Sequence, residues 1–101
     1  MEKKDFSAHT RYAVTLRDEH GRLRPANLYV YRLYDGYMIA RRTDGDGSLL
    51  KLPYEQMVKI VRTLPVRYED RFLVPEAMLA ESAWKHRTRM QTYSSSPHMG
   101  K

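Results

Sequence analysis

Four tyrosines stand within nine residues, Tyr29, Tyr31, Tyr34 and Tyr37, with Arg32, Arg41 and Arg42 beside them. Rings on a sheet face flanked by guanidinium groups can stack unpaired bases while the arginines hold phosphates. The same residue types serve as anchors in protein interfaces. A third reading needs no ligand, because tyrosine has high β propensity and packs well across strands. Residue types alone leave all three open. The candidate interaction face comprises Tyr29, Tyr31, Arg32, Tyr34, Tyr37, Arg41 and Arg42.

Other groups that could do chemistry are weaker. Asp44-Gly45-Asp46-Gly47-Ser48 puts oxygen side chains at the first, third and fifth positions of a calcium-loop spacing, and Glu55 falls at the twelfth. The sixth position should be glycine, for the sharp turn around the ion, and is Leu49. An Asx-stabilised turn accounts for the same residues. His9, His20, His86 and His98 include no pair at i, i+4, so no metal site of imidazoles is expected. Ser7, Ser48 and Ser82 lie in no Gly-x-Ser-x-Gly elbow. Asp35, Asp44, Asp46, Glu55, Glu69 and Asp70 could act as acids or bases only if folding gathered two of them in a cleft. No catalytic residue, cofactor or metal is assigned.

The elements that must position these groups follow from periodicity. Tyr12, Val14 and Leu16 alternate with Ala13, Thr15 and Arg17, which is the period of a half-buried strand. Asn27 to Tyr34 is a second strand with bulk on both faces. Simple alternation puts Leu28, Val30, Arg32 and Tyr34 on one side, and Tyr29, Tyr31 and Leu33 on the other. Asp35-Gly36 predicts a two-residue type I′ hairpin turn into Tyr37–Arg42. Thr43 to Gly47 predicts another turn into Ser48–Leu52, completing a three-stranded meander over residues 27–52. Pro25 assigns residues 22–26 to a connection or an edge strand. Pro53 suits the first position of a helix, and Tyr54, Met57, Val58 and Val61 make an i, i+3, i+4, i+7 stripe. A helix over 53–64 follows, and Pro75 with Glu76 and the basic end Lys85-His86-Arg87 predicts another over 75–88.

The expected fold is therefore α+β: a small antiparallel sheet of three to five strands, covered on one face by two helices. The uncovered face would carry several tyrosines. Residues 1–10 are expected to be frayed, 11–89 to form one domain, and 90–101 to be a disordered Ser-rich basic tail.

The 101 residues suit one domain, and 42% hydrophobic content suffices for a modest core. Cysteine is absent, which removes disulfides, thiolate catalysis and cysteine-ligated metals. No apolar run approaches the roughly 20 residues of a bilayer span, and Met1-Glu2-Lys3-Lys4-Asp5 does not open a signal peptide. A cytoplasmic location is the expectation. The net charge of +6 is uneven: the 14 Lys and Arg from Lys3 to Arg71 face 12 acids, leaving +2, while Lys85, Arg87, Arg89 and Lys101 supply the other +4. Because phosphate neutralisation dominates affinity for nucleic acid, a near-neutral body favours other partners. The expected function is a small non-enzymatic interaction protein, working through a homodimer or a protein partner. The alternative is a single-stranded nucleic-acid-binding module using the Tyr/Arg face and the basic tail.

Overall fold

A computed structural model of the chain describes residues 1–91, so the tail expected at 90–101 falls outside the described residues from position 92 onward. The six strands are β1 (Thr10–Arg17), β2 (Leu23–Leu33), β3 (Tyr37–Arg42), β4 (Leu49–Pro53), β5 (Met57–Pro65) and β6 (Arg89–Met90). They form one antiparallel sheet in the order β5-β1-β2-β3-β4-β6. The two expected helices are absent, and the only helical pieces among the described residues are 3₁₀ turns of three or four residues.

The sheet cannot be flat. β4 and β5 lie four places apart in strand order, yet only Tyr54–Gln56 joins them. Four inter-strand spacings make roughly 19 Å, and a link of three residues reaches at most about 14 Å. The sheet therefore curls, and its concave side becomes a core. Tyr12 and Val14 from β1, Leu28 and Val30 from β2, Met38 and Ala40 from β3, Leu52 from β4 and Met57 from β5 share that core with Phe6 and Tyr54. The Phe6 ring meets Tyr12 edge-on at 5.1 Å and lies over Tyr54 at 6.0 Å. The opening segment read from the sequence as frayed thus carries a buried aromatic ring. Its Met1 nitrogen donates to the carbonyls of Tyr54 and Met57, both at 3.1 Å.

The helix expected over 53–64 is a strand because its spacing has another origin. Where β5 pairs with β1, Ala13 faces Arg62 but Val14 faces Ile60, and Thr15 faces Lys59 but Leu16 faces Met57. Val61 and Val58 are the extra residues of two bulges. Each bulge lengthens the step between inward positions, so Met57 and Ile60 recur at three residues rather than two. A bulged strand then imitates the apolar spacing of a helix. The β-branched content of Val58, Ile60, Val61 and Thr63 is the signal that favours the strand.

The helix expected over 75–88 is broken for a different reason. Side chains take the carbonyls that helix amides would use. Tyr34 Oη donates to the Leu79 carbonyl at 2.6 Å, Trp84 Nε1 to Met78 at 2.8 Å, and Lys51 Nζ to Trp84 at 3.1 Å. What remains is Glu76–Met78 and Glu81–Trp84 as 3₁₀ turns, separated by extended Ala80. This strap, residues 66–88, crosses the convex side of the sheet and ends as β6 on the edge of β4. Val66, Phe72, Val74, Leu79 and Trp84 pack there on Tyr29, Tyr31, Ile39 and Leu49, a second core on the face expected to be open.

β2 runs through Pro25 because β3 pairs with it only from Leu28 onward, so Pro25 is locally on an edge. The hairpin turn at Asp35-Gly36 joins β2 to β3, with Gly36 at φ 83°. Asp35 keeps a negative φ, so the turn is not the expected type I′. Tyr54 holds it from outside, its hydroxyl on the Tyr34 carbonyl at 2.7 Å and its N–H on Gly36 at 3.2 Å.

Two measurements test this account. Nothing lies within 4 Å of a Cβ built at Gly36, so Gly36→Val meets only the backbone penalty of positive φ. Urea unfolding should register a loss of about 1–2 kcal/mol. Trp84 is fully buried under the strap. Trp84→Ala should lower stability by about 3–5 kcal/mol and speed amide exchange across residues 76–90 before the rest of the sheet.

Candidate functional site

The position of the tyrosines depends on one bulge. Val30 faces Ala40 and Arg32 faces Ile39, so Tyr31 and Arg32 both oppose Ile39. The inserted residue reverses the alternation beyond it. Leu28, Val30 and Leu33 then pack in the concave core, while Tyr29, Tyr31 and Tyr34 join Tyr37 on the convex side. The bulge thus gathers four rings that simple alternation divides between two faces.

Two of the four are withdrawn from solvent, and Tyr34 and Tyr37 are half-buried. Tyr29 and Tyr31 are 0% and 3% exposed, with ring centroids 4.9 Å apart, and Phe72 of the strap meets Tyr29 edge-on at 5.1 Å. Arg41 Nε donates to Tyr31 Oη at 3.0 Å, and its guanidinium lies 5.2 Å from the Phe72 ring. Tyr34 and Tyr37 sit 5.3 Å apart with Lys51 Nζ 4.6 Å above Tyr37. Arg32 is paired with Glu76 of the strap. Arg42 faces Leu28 across the ladder and bonds Asp44 at 3.0 Å, away from the others. Six of the seven residues singled out in the sequence therefore meet in a seam along the strap, with Tyr29 and Tyr31 buried and the other four half-buried.

His9 joins that seam, and nothing in its sequence context marks it. It is the one non-glycine residue at positive φ among the described residues, at 54°. Its N–H donates to the Val30 carbonyl at 2.6 Å, and Nδ1 lies 2.8 Å from Tyr29 Oη. That hydroxyl accepts the backbone N–H of Phe72. Tyr29 is fully buried and its hydroxyl has no other acceptor among the described residues, so its own proton goes to Nδ1, which leaves the imidazole proton on Nε2. Burial, and then the positive charges of Arg71 and Arg32, hold the imidazole below its ordinary pKa. Burial pushes the phenols of Tyr29 and Tyr31 up.

Above His9 opens a cleft of about 810 Å³ between the N-terminal segment, the end of β2 and the strap. Leu33, Val74 and Leu79 are among its apolar lining, and His9, Arg32 and Arg71, with Glu69 and Glu76, among its polar lining. The Arg71 guanidinium lies 5.0 Å over the Tyr68 ring, with Nε buried and unpartnered.

The convex side has a second part. The strap covers β2, β3 and β4 but leaves β5 and β1 open. Cross-strand partners share a face, so Leu64, Arg11 and Tyr29 form one row. Arg62, Ala13 and Asn27 form the next, then Lys59, Thr15 and Pro25, then Arg17 and Leu23. Arg11, Arg17, Lys59 and Arg62 are exposed and have no carboxylate partner among the described residues. Leu23, Val61 and Leu64 are exposed beside them at 56%, 63% and 49%. Strand alternation already put Arg11 and Arg17 opposite the core. Lys59 and Arg62 escaped notice because β5 reads as a helix.

The acidic candidates do not converge. Asp44 accepts from Asn27 and Arg42, Asp46 from Ser48 and Arg89, Asp35 lies near Lys3, and Glu69 and Asp70 flank Arg67. Among the described residues no helix is long and apolar enough to cross a membrane. Family models, curated proteins and solved structures yield no match to this chain.

The His9–Tyr29 bond predicts a pH dependence. With its pKa lowered on folding, His9 binds protons more readily in the unfolded chain. Its contribution is complete above its ordinary value of 6.5 and is lost as pH falls below it. The melting temperature should drop between pH 7 and pH 5, and His9→Gln should flatten that part of the profile.

Proposed function

We propose that this chain is a non-enzymatic, cytoplasmic protein-interaction module that binds an acidic partner protein on the uncovered β5–β1 face. The carrying observation is the division of the convex side: one half is covered by the strap, and the other bears four cations with no carboxylate partner among the described residues, around exposed Leu23, Val61 and Leu64. Arginine beside apolar side chains, with small residues Ala13 and Thr15 between them, suits a protein interface. Complementary charge on the partner steers the encounter and suppresses wrong pairings.

Self-association through this face would set Arg11, Arg17, Lys59 and Arg62 against their own copies, which like-charge repulsion opposes. Edge-strand cations also act in nature to block such pairing. Binding of single-stranded nucleic acid draws much of its strength from base stacking on aromatic rings. Here Tyr29 and Tyr31 lie under the strap, and among the described residues no exposed ring stands on the β5–β1 face. Phosphate contacts alone would remain.

A photo-crosslinking amino acid at Thr15, compared with one at exposed Glu81 on the strap, tests the reading in cells. The expected result is a protein adduct at position 15 and none at 81. The purified partner should then bind the double variant Arg11→Glu, Arg62→Glu about tenfold more weakly or worse. Nuclease-sensitive adducts, an adduct of twice the chain mass, or indifference to the charge reversal would each overturn the proposal.

A further inference from the structure

We infer that the cleft beside His9 binds a small organic carboxylate with an apolar body. Most of its polar groups are already engaged. Arg32 is held by Glu76, Lys3 is near Asp35 at 3.4 Å, and Glu69 is near Arg67 at 3.6 Å. Two groups remain. No carboxylate among the described residues pairs with Arg71, whose guanidinium rests on the Tyr68 ring with Nε closed off from water. His9 spends Nδ1 on Tyr29 and keeps a proton on Nε2 for which no acceptor stands among the described residues.

Both groups are donors only. A ligand that satisfies them must bring acceptors, and Arg71 together with the paired Arg32 makes that end of the cleft positive. Those same charges, with burial, keep His9 neutral, so it acts as a hydrogen-bond donor and not as a second full charge. A guanidinium fork matches the planar, two-oxygen geometry of a carboxylate. The apolar lining, Leu33, Val74 and Leu79, suits a hydrocarbon chain or ring. The volume of about 810 Å³ lies within the usual range for small-molecule sites. His9 itself is held in a left-handed backbone conformation that most residues avoid, and such strain concentrates at ligand sites.

None of Arg11, Arg17, Lys59 and Arg62 lines this cleft, so either proposal can fail alone. The test is a titration of the intact chain, followed through its backbone amide resonances. The probes are hexanoate, hexylamine and inorganic phosphate. Hexanoate should give saturable shifts at His9, Leu33 and Val74, and hexylamine none. Phosphate should bind at least about tenfold more weakly than hexanoate, because it leaves the apolar lining uncovered. Arg71→Gln should weaken hexanoate by about tenfold or more, in line with loss of a charge-assisted hydrogen bond. Arg71→Lys, which keeps the charge and guards against a folding defect, should weaken it less. The absence of saturable shifts, equal binding of the amine, equal binding of phosphate, or an Arg71→Gln variant with native spectrum and unchanged affinity would each overturn the inference.

Discussion

β2 carries large apolar side chains on both of its faces, and no single layer can bury both. Leu28, Val30 and Leu33 point to one side, and Tyr29, Tyr31 and Tyr34 to the other. Each fully buried side chain of this size is worth about 1.5–3 kcal/mol, so leaving either face in water would forfeit much of the stability of a small domain. The chain meets the constraint twice over. The sheet curls upon itself to enclose the first face, and residues 66–88 pass back across the second. The short Tyr54–Gln56 link, the bulges in β5 and the indole of Trp84 all serve these two closures.

The strap is an unusual cover, since it has almost no regular structure of its own. Its carbonyls at Met78, Leu79 and Trp84 are satisfied by Trp84, Tyr34 and Lys51 side chains, and its end pairs with β4. Seam and strap therefore depend on each other. Without the strap, Tyr29 and Tyr31 would be bare, and without the tyrosines the strap would have few partners. His9 ties a third segment to the same place through Tyr29, which explains how a residue near the N-terminus comes to border a cleft formed by residues 68–79.

The same coverage divides the convex side by chemistry. Aromatic rings are spent on packing in the sealed half, and charge collects in the open half. Arg24, Arg32, Arg42, Arg67 and Arg89 each have an acidic partner, whereas Arg11, Arg17, Lys59 and Arg62 have none among the described residues. A body surplus of only +2 thus conceals a surface of one sign. Net charge sums over the chain, but a partner meets only the face that pairing leaves uncompensated.

By itself the sequence determined the period-two strands β1 to β4, the turns at Asp35-Gly36 and Thr43–Gly47, the absence of cysteine, and a tyrosine cluster that is close in sequence. These are local properties, written in alternation and turn chemistry. The sequence misled where a local pattern had two physical origins. Met57, Val58 and Val61 read as a helix stripe, because two bulges give a strand the same spacing. Pro75 to Arg87 reads as a helix, because nothing local reveals that Tyr34, Trp84 and Lys51 will claim its carbonyls. The tertiary structure alone decided that Tyr29 and Tyr31 are sealed, that His9 and Arg71 share a cleft, and that four cations share a face. Each of these rests on contacts between residues far apart in the chain, and on a bulge at Tyr31 whose one-residue shift turns every side chain after it to the opposite side of the sheet.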